Sequence, residues 1–265
     1  MVANEGRNNG AISPSLYEEI LLKVKKIGNN PEFYDQRGTL VKEGLRSLGD
    51  IYSYWIENPE LRKSHLLQDC SPGTVKKKAM KGIRHINNAW YFLSQTGQFG
   101  NFVELLNKNV LKGTNGLING GIKESGEYRQ RNVTLNFRGF TPVGWEKVPG
   151  EIENVLASTK SLYRAGNRLE SAIYSHLALA LTQPFNDGNK RTSRLIQDRI
   201  LYDAGLPSAI IPAGEAKFYL SLLEKSAWPF RDGNKEGQRQ FYDYMASKVN
   251  NGLDEILNDL GQGLA

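Results

Sequence analysis

Residues Gln183-Pro-Phe185-Asn-Asp187-Gly188-Asn189-Lys190-Arg191 gather a carboxylate, a glycine and two cations in one short stretch, and Arg194 follows one turn later. An apolar segment precedes them, the chain turns at Gly188, and a second helix is expected to begin near Asn189. A helix start presents backbone N–H groups that no residue of the helix can accept from, at the positive end of its dipole. Gly188, lacking a side chain, lets that backbone approach an anion closely. Lys190 and Arg191 add charge, and Arg194 is expected to reach the same side. Asp187 at the rim offers oxygen to a Mg²⁺ ion shared with phosphates. Together they read as a phosphate cradle. The competing reading is a structural loop-to-helix connection that binds nothing.

The stretch has an echo. Trp228-Pro229-Phe230-Arg231-Asp232-Gly233-Asn234-Lys235 repeats its outline, but the flanks differ and Glu236 stands where the first copy has Arg191. One short echo is too little for a repeat architecture. Phosphate chemistry is assigned to the first copy.

Helices are expected to position these groups. Apolar residues recur at helical spacing over about 41–57, 73–95, 100–112, 149–163, 168–183, 190–204, 214–227 and 236–260, separated by Gly, Asn and Pro clusters. Ser15 with Glu18 reads as a capping box opening an earlier helix through Leu16, Ile20 and Val24. Only 131–142 alternates in a β-like way, and it predicts a short hairpin acting as a flap. Residues 1–12 are polar and Gly/Asn-rich and are expected to be disordered.

The bulk properties set outer limits. A net charge of +6 and a pI near 9.2 favour anionic partners. The basic stretch Lys76-Lys77-Lys78, Lys81, Arg84 alternates with apolar residues like a solvated helix face, so nucleic-acid binding is not expected. No signal-like or membrane-spanning apolar run is present, and Cys70 is the single cysteine. A cytoplasmic location follows as the expectation, with specialised delivery into a host cell equally compatible.

The motif resembles the signature of the Fic/Doc (Fido) family, His-x-Phe-x-Asp/Glu-Gly-Asn-Gly-Arg-x-x-Arg. Further resemblance lies in Gly126-Glu127-Tyr128-Arg129 with Val133, in Val148-Pro149, in Ala204-Gly205-Leu206-Pro207 and in Ile210-Ile211-Pro212. It implies an all-α, Fic/Doc-type helical bundle with the hairpin as a target-docking flap at Thr134, Leu135 and Asn136. The implied layout is an N-terminal helical region over 13–100, a Fido core over 101–250 and a C-terminal helix or tail over 251–265. The implied activity is transfer of AMP from ATP to a hydroxyl of a protein target. Gly188, Asn189, Lys190, Arg191 and Arg194 would bind the nucleotide, and Asp187 would hold Mg²⁺.

Two departures bear on that activity. Gln183 stands where the family has its histidine base, and a carboxamide has no usable basicity near neutral pH, so transfer is expected to be impaired. Lys190 stands where most members have glycine, as in the kinase-like Doc branch, which opens phosphoryl transfer as an alternative. Ser53-Tyr-Trp-Ile-Glu57-Asn fits the family's self-inhibitory helix, placed at 43–58, with Glu57 positioned to pair with Arg194. AMP removal using Glu57, or a non-catalytic interaction module, are the remaining readings.

Overall fold

The structure, a computed structural model, describes residues 11–28, 72–97, 100–122, 124–135, 137 and 139–260. The expected inhibitory helix with Ser53 and Glu57, together with residues 1–10, His65, Cys70 and Asn136, lies outside them. The regular structure described is helical: α1 (Pro14–Gly28), α2 (Pro72–Gln95), α3 (Phe102–Leu105), α4 (Lys108–Ile118), α5 (Val148–Arg164), α6 (Arg168–Thr182), α7 (Asn189–Asp203), α8 (Ala216–Arg231) and α9 (Lys235–Asp259). None of these helices is long and apolar enough to cross a membrane.

Helix α6 is the axis of the bundle. Ala172, Ile173, Leu177, Ala178 and Leu181 point in several directions around it and all are buried. An apolar surface on every side demands neighbours on every side. It packs most extensively against α7 and α5, while α8 and α9 close the remaining flank and α1 lies on α9.

Helix α7 is polar in sequence yet almost wholly buried. Its charges are internal struts. Arg199 pairs with Asp203 at 3.2 Å, one turn on. Arg199 also donates to the Leu93 carbonyl and lies over the Phe102 ring. Asp203 accepts the backbone N–H groups of Gly100 and Phe102, at 2.7 and 3.1 Å, and so caps the start of α3. Such a cluster tolerates burial because its members satisfy one another.

Several boundaries differ from expectation. The first helix starts at Pro14, which suits a first-turn position that needs no N–H acceptor. Ser13, not Ser15, therefore precedes it, with its N–H on Asp243 at 2.7 Å. Ala11 and Ile12, expected in the disordered segment, are buried in the core. The helix expected over 100–112 breaks because the Asn107 side chain accepts from the N–H groups of Asn109 and Val110 and starts α4 afresh. The boundary expected at 250 falls inside α9.

The flap is corrected too. Among the described residues of 131–142 no strand pairs with another; the isolated bridge nearby joins Tyr128 to Phe185. Carbonyls that a hairpin would pair across strands go instead to the guanidinium of Arg129, which takes those of Arg131 and Val143. Pro142 has no N–H to offer a ladder.

Candidate functional site

Helix α6 ends at Thr182, and its C-cap, Gln183, is left-handed with φ 50° and ψ 60°. That conformation costs a residue with a side chain about 1–2 kcal/mol. Several bonds hold it there. Its N–H donates to the Leu179 carbonyl at 3.2 Å, and its own carbonyl accepts from Arg129 Nε at 2.7 Å. The carboxamide is engaged at both ends: Nε2 donates to the Ala180 carbonyl at 2.6 Å, and Oε1 accepts from Asn189 Nδ2 at 3.1 Å. The Asn189 side chain also spans Phe185, accepting its N–H and donating to its carbonyl, each at 2.8 Å. Phe185 itself is buried against the Tyr128 ring. The Asn189 side chain thus braces the loop from within.

Gly188 then caps α7 with φ 77° and no side-chain acceptor of its own for the first-turn N–H groups. The loop's outer wall is α4. Asn115 Nδ2 donates to the Asp187 carbonyl at 2.9 Å and to Thr192 Oγ1 at 3.1 Å. Its Oδ1 accepts the Gly126 N–H at 3.1 Å. Asn119 also donates to the Asp187 carbonyl, and its Oδ1 accepts from Arg191 at 3.2 Å. Arg191 meets the exposed Asp187 carboxylate at 3.3 Å. The result is a helix start with one guanidinium braced beside it and one rim carboxylate, Asp187, whose Oδ1 accepts the Gly188 N–H at 2.6 Å. That arrangement attracts an oxyanion.

Arg194 does not join Arg191 at the rim. It is buried, with its guanidinium over the Tyr219 ring at 5.7 Å. Lys190 is half-buried beside Arg191. Among the described residues no group of three or more His, Cys, Asp or Glu side chains converges as a metal site. A lone rim carboxylate such as Asp187 suits Mg²⁺, which commonly takes one or two carboxylates and completes its shell from phosphates and water.

Neither described histidine substitutes for a base at position 183. His176 lies two turns up α6, with Nδ1 on Gln197 Oε1 and Nε2 on the Tyr219 hydroxyl, each at 2.8 Å. Burial first, and Arg194 second, pull its pKa down to about 3. Between that value and the unfolded value of about 6.5, only the unfolded chain takes up the proton. Stability is therefore full above about pH 6.5 and falls by roughly 1.4 kcal/mol per pH unit below it. Denaturant unfolding from pH 7 to pH 4.5 should show a steeper loss for the unaltered chain than for His176→Gln; parallel curves would refute the buried neutral imidazole. His85 on α2 lies against Gly120, and burial, then Lys81 and Arg191, disfavour its protonated form. Its place near Arg191 was not legible in the sequence, where α2 and α7 are far apart.

On the flap segment Thr134 is exposed and Leu135 half-buried against the core. A cavity of about 670 Å³ lies elsewhere, beside the second copy of the motif, lined by Tyr174, Arg231, Lys235 and Tyr242 with Glu151 and Glu170. Those glutamates oppose an anion, and Arg231 is spent on the Thr141 carbonyl and stacked over Phe140. The anion site stays with the first copy. Asn115 and Asn119 escaped the sequence reading, which held Arg129 only as part of the lead-in to the flap; the four-residue spacing of the asparagines was the one available signal.

Comparison with known proteins points one way. A model of the Fic/DOC family matches residues 102–201. Protein adenylyltransferase fic-1 of Caenorhabditis elegans is 33% identical over 105 residues, which are 37% of this chain and 20% of that protein. Protein adenylyltransferase Fic of Drosophila persimilis is 29% identical over 139 residues, 51% of this chain and 25% of that protein. The chain thus spans only a fifth to a quarter of these relatives' length. Among solved structures, a Fic domain containing signaling protein from Bacteroides thetaiotaomicron superposes with a TM-score of 0.70 at 18% identity, covering 94% of this chain and 98% of that one. Fic-1 from C. elegans gives 0.71 at 18% identity, covering 93% and 72%. At that identity the likeness is one of fold.

Proposed function

We propose that this chain, whose residues 102–201 match a model of the Fic/DOC family, binds ATP through its phosphates and carries a protein adenylyltransferase site whose transfer step is impaired. The observation that carries the reading is the pair formed by the first turn of α7, which has no N-cap side chain on it, and the Arg191 guanidinium held beside it by Asn119. The amides and Arg191 bind phosphate oxygens. Arg194, buried over Tyr219 behind the rim, is assigned the outer phosphate, which has to reach in past Arg191. Mg²⁺, held by Asp187, would offset phosphate charge when bound.

The acceptor is a hydroxyl of a protein target docked along Thr134, Leu135 and Asn136. Its proton must leave as the oxygen attacks, and Gln183 has no basic atom to receive it. The carboxamide is moreover already bound at both ends within the loop. Binding and charge stabilisation survive such a loss; proton removal does not. Glu57 is assigned the inhibitory role, competing with the outer phosphate for Arg194.

Calorimetry tests the reading. ATP with Mg²⁺ should release heat on binding, and more tightly to a Glu57→Gly chain. Arg191→Ala should weaken binding about 10- to 100-fold, the worth of a charged hydrogen bond. No heat from either the unaltered or the Glu57→Gly chain would leave the protein-interaction reading in place of this one.

A further inference from the structure

Arg129 is among the largest fully buried side chains of the protein, only 1% exposed. Among the described residues no carboxylate pairs with it. Its donors go to carbonyl oxygens from three separate places. Nε meets the Gln183 carbonyl at 2.7 Å, at the C-terminal end of α6 that favours a cation. Nη1 meets the Arg131 carbonyl at 3.0 Å, where the flap segment begins. Nη2 meets the Val143 carbonyl, where that segment ends, and reaches the Thr182 carbonyl at 3.5 Å. Its backbone N–H donates to the Pro184 carbonyl at 2.9 Å. Close by, Asn132 Oδ1 accepts the Trp145 N–H at 3.1 Å and draws the same neck shut.

One planar guanidinium therefore touches both ends of the flap segment and the left-handed residue at the base position. We propose that Arg129 is a positioning residue that joins the target-facing segment 131–143 to the backbone of Gln183 as one unit, so that the acceptor hydroxyl and the base position keep a fixed separation. The inference rests on the adenylyltransferase reading for its purpose, though not for the mechanical coupling itself. A rigid fork of donors is what the geometry uses; an ammonium cannot reach all three places at once. Among the described residues of the segment no strand ladder joins its ends; a side chain from outside the segment does so.

The test is Arg129→Lys in the full chain, alone and together with Gln183→His. Trypsin should cut at Arg131 about tenfold faster, and amide exchange at Gln183 and Phe185 should rise with it, while α4 and α7 keep their protection. Mg²⁺-ATP affinity should stay within about twofold, because the cradle is built from α4 and α7. In the Gln183→His background the transfer rate should fall about 10²-fold, the cost of a misplacement near 1 Å, with the KM for ATP unchanged. Faster cutting with no change at Gln183 would overturn the coupling. A loss of nucleotide affinity in step with exchange in every helix would reduce Arg129 to a general structural role. If Gln183→His alone transfers nothing, the adenylyltransferase reading has failed, while the cutting and exchange measurements still decide the coupling. Should Arg129→Lys fail to fold, pairwise exchange in the unaltered chain decides it: the Arg129 and Gln183 amides must open with one free energy, and separate openings would overturn the proposal.

Discussion

Gln183→His is expected to raise self-labelling by isotopically labelled ATP about 10²- to 10⁴-fold, the usual worth of a general base. The position is ready for one. Its backbone is held left-handed by Leu179 and Arg129, whatever side chain it carries. The Ala180 carbonyl, which now accepts from the glutamine Nε2 at 2.6 Å, can accept the ring N–H and orient the imidazole with its other nitrogen free to take a proton. A neutral imidazole accepts a proton near pH 7, so labelling by this variant should rise with pH through about 6.5 and then level off. The mass of the adduct carries further information. An AMP adduct supports adenylyl transfer, whereas a phosphate adduct would point to the Doc-like use of Lys190. Unchanged labelling by a variant that still binds ATP would remove the missing base as the explanation.

The second large effect belongs to Gly188. At φ 77° it occupies a conformation open to glycine, and an added Cβ would meet Asn115 Nδ2 and both terminal atoms of Asn119 at 3.0 Å. These asparagines cannot yield cheaply, since they hold the Asp187 carbonyl and, through Asn119, Arg191. Gly188→Ala should weaken Mg²⁺-ATP binding about 10- to 100-fold by combining backbone strain with displacement of the wall. Gly188→Val should be worse, because a branched Cβ resists the left-handed region more strongly. The cause can be divided by a cycle. Asn119→Ala removes part of the obstruction, so its effect and that of Gly188→Ala should sum to more than the double variant shows. Strict additivity, or ordinary affinity in Gly188→Ala, would mean that this turn does not shape the ligand site.

The helical bundle was legible because α6 and its neighbours carry apolar residues at helical spacing, a signal written within each segment. Helix α7 was legible as a helix and illegible as a core element. Its buried charges, Arg199 and Asp203 among them, have the composition of a surface helix until Gly100, Phe102 and Leu93 arrive from elsewhere to satisfy them. Among the described residues of 131–142 the expected hairpin does not appear, for the same reason. Alternation over 131–142 is a local property, whereas the partners of its carbonyls depend on the fold: Arg131 is met by Arg129, Phe137 by the Phe140 N–H and Thr141 by Arg231.

What the sequence determined alone is therefore what a few consecutive residues enforce: a glycine turn opening a helix, cations beside it, and a side chain at position 183 that cannot act as a base. Tertiary structure decided which of those cations faces outward and what holds the turn in shape. Arg191 stands at the rim, braced by Asn119, and Arg194 is buried over the Tyr219 ring of α8. The division is physical. Backbone conformation is set by neighbours in the chain, but the burial of a polar group is settled by whichever remote atoms can complete its hydrogen bonds.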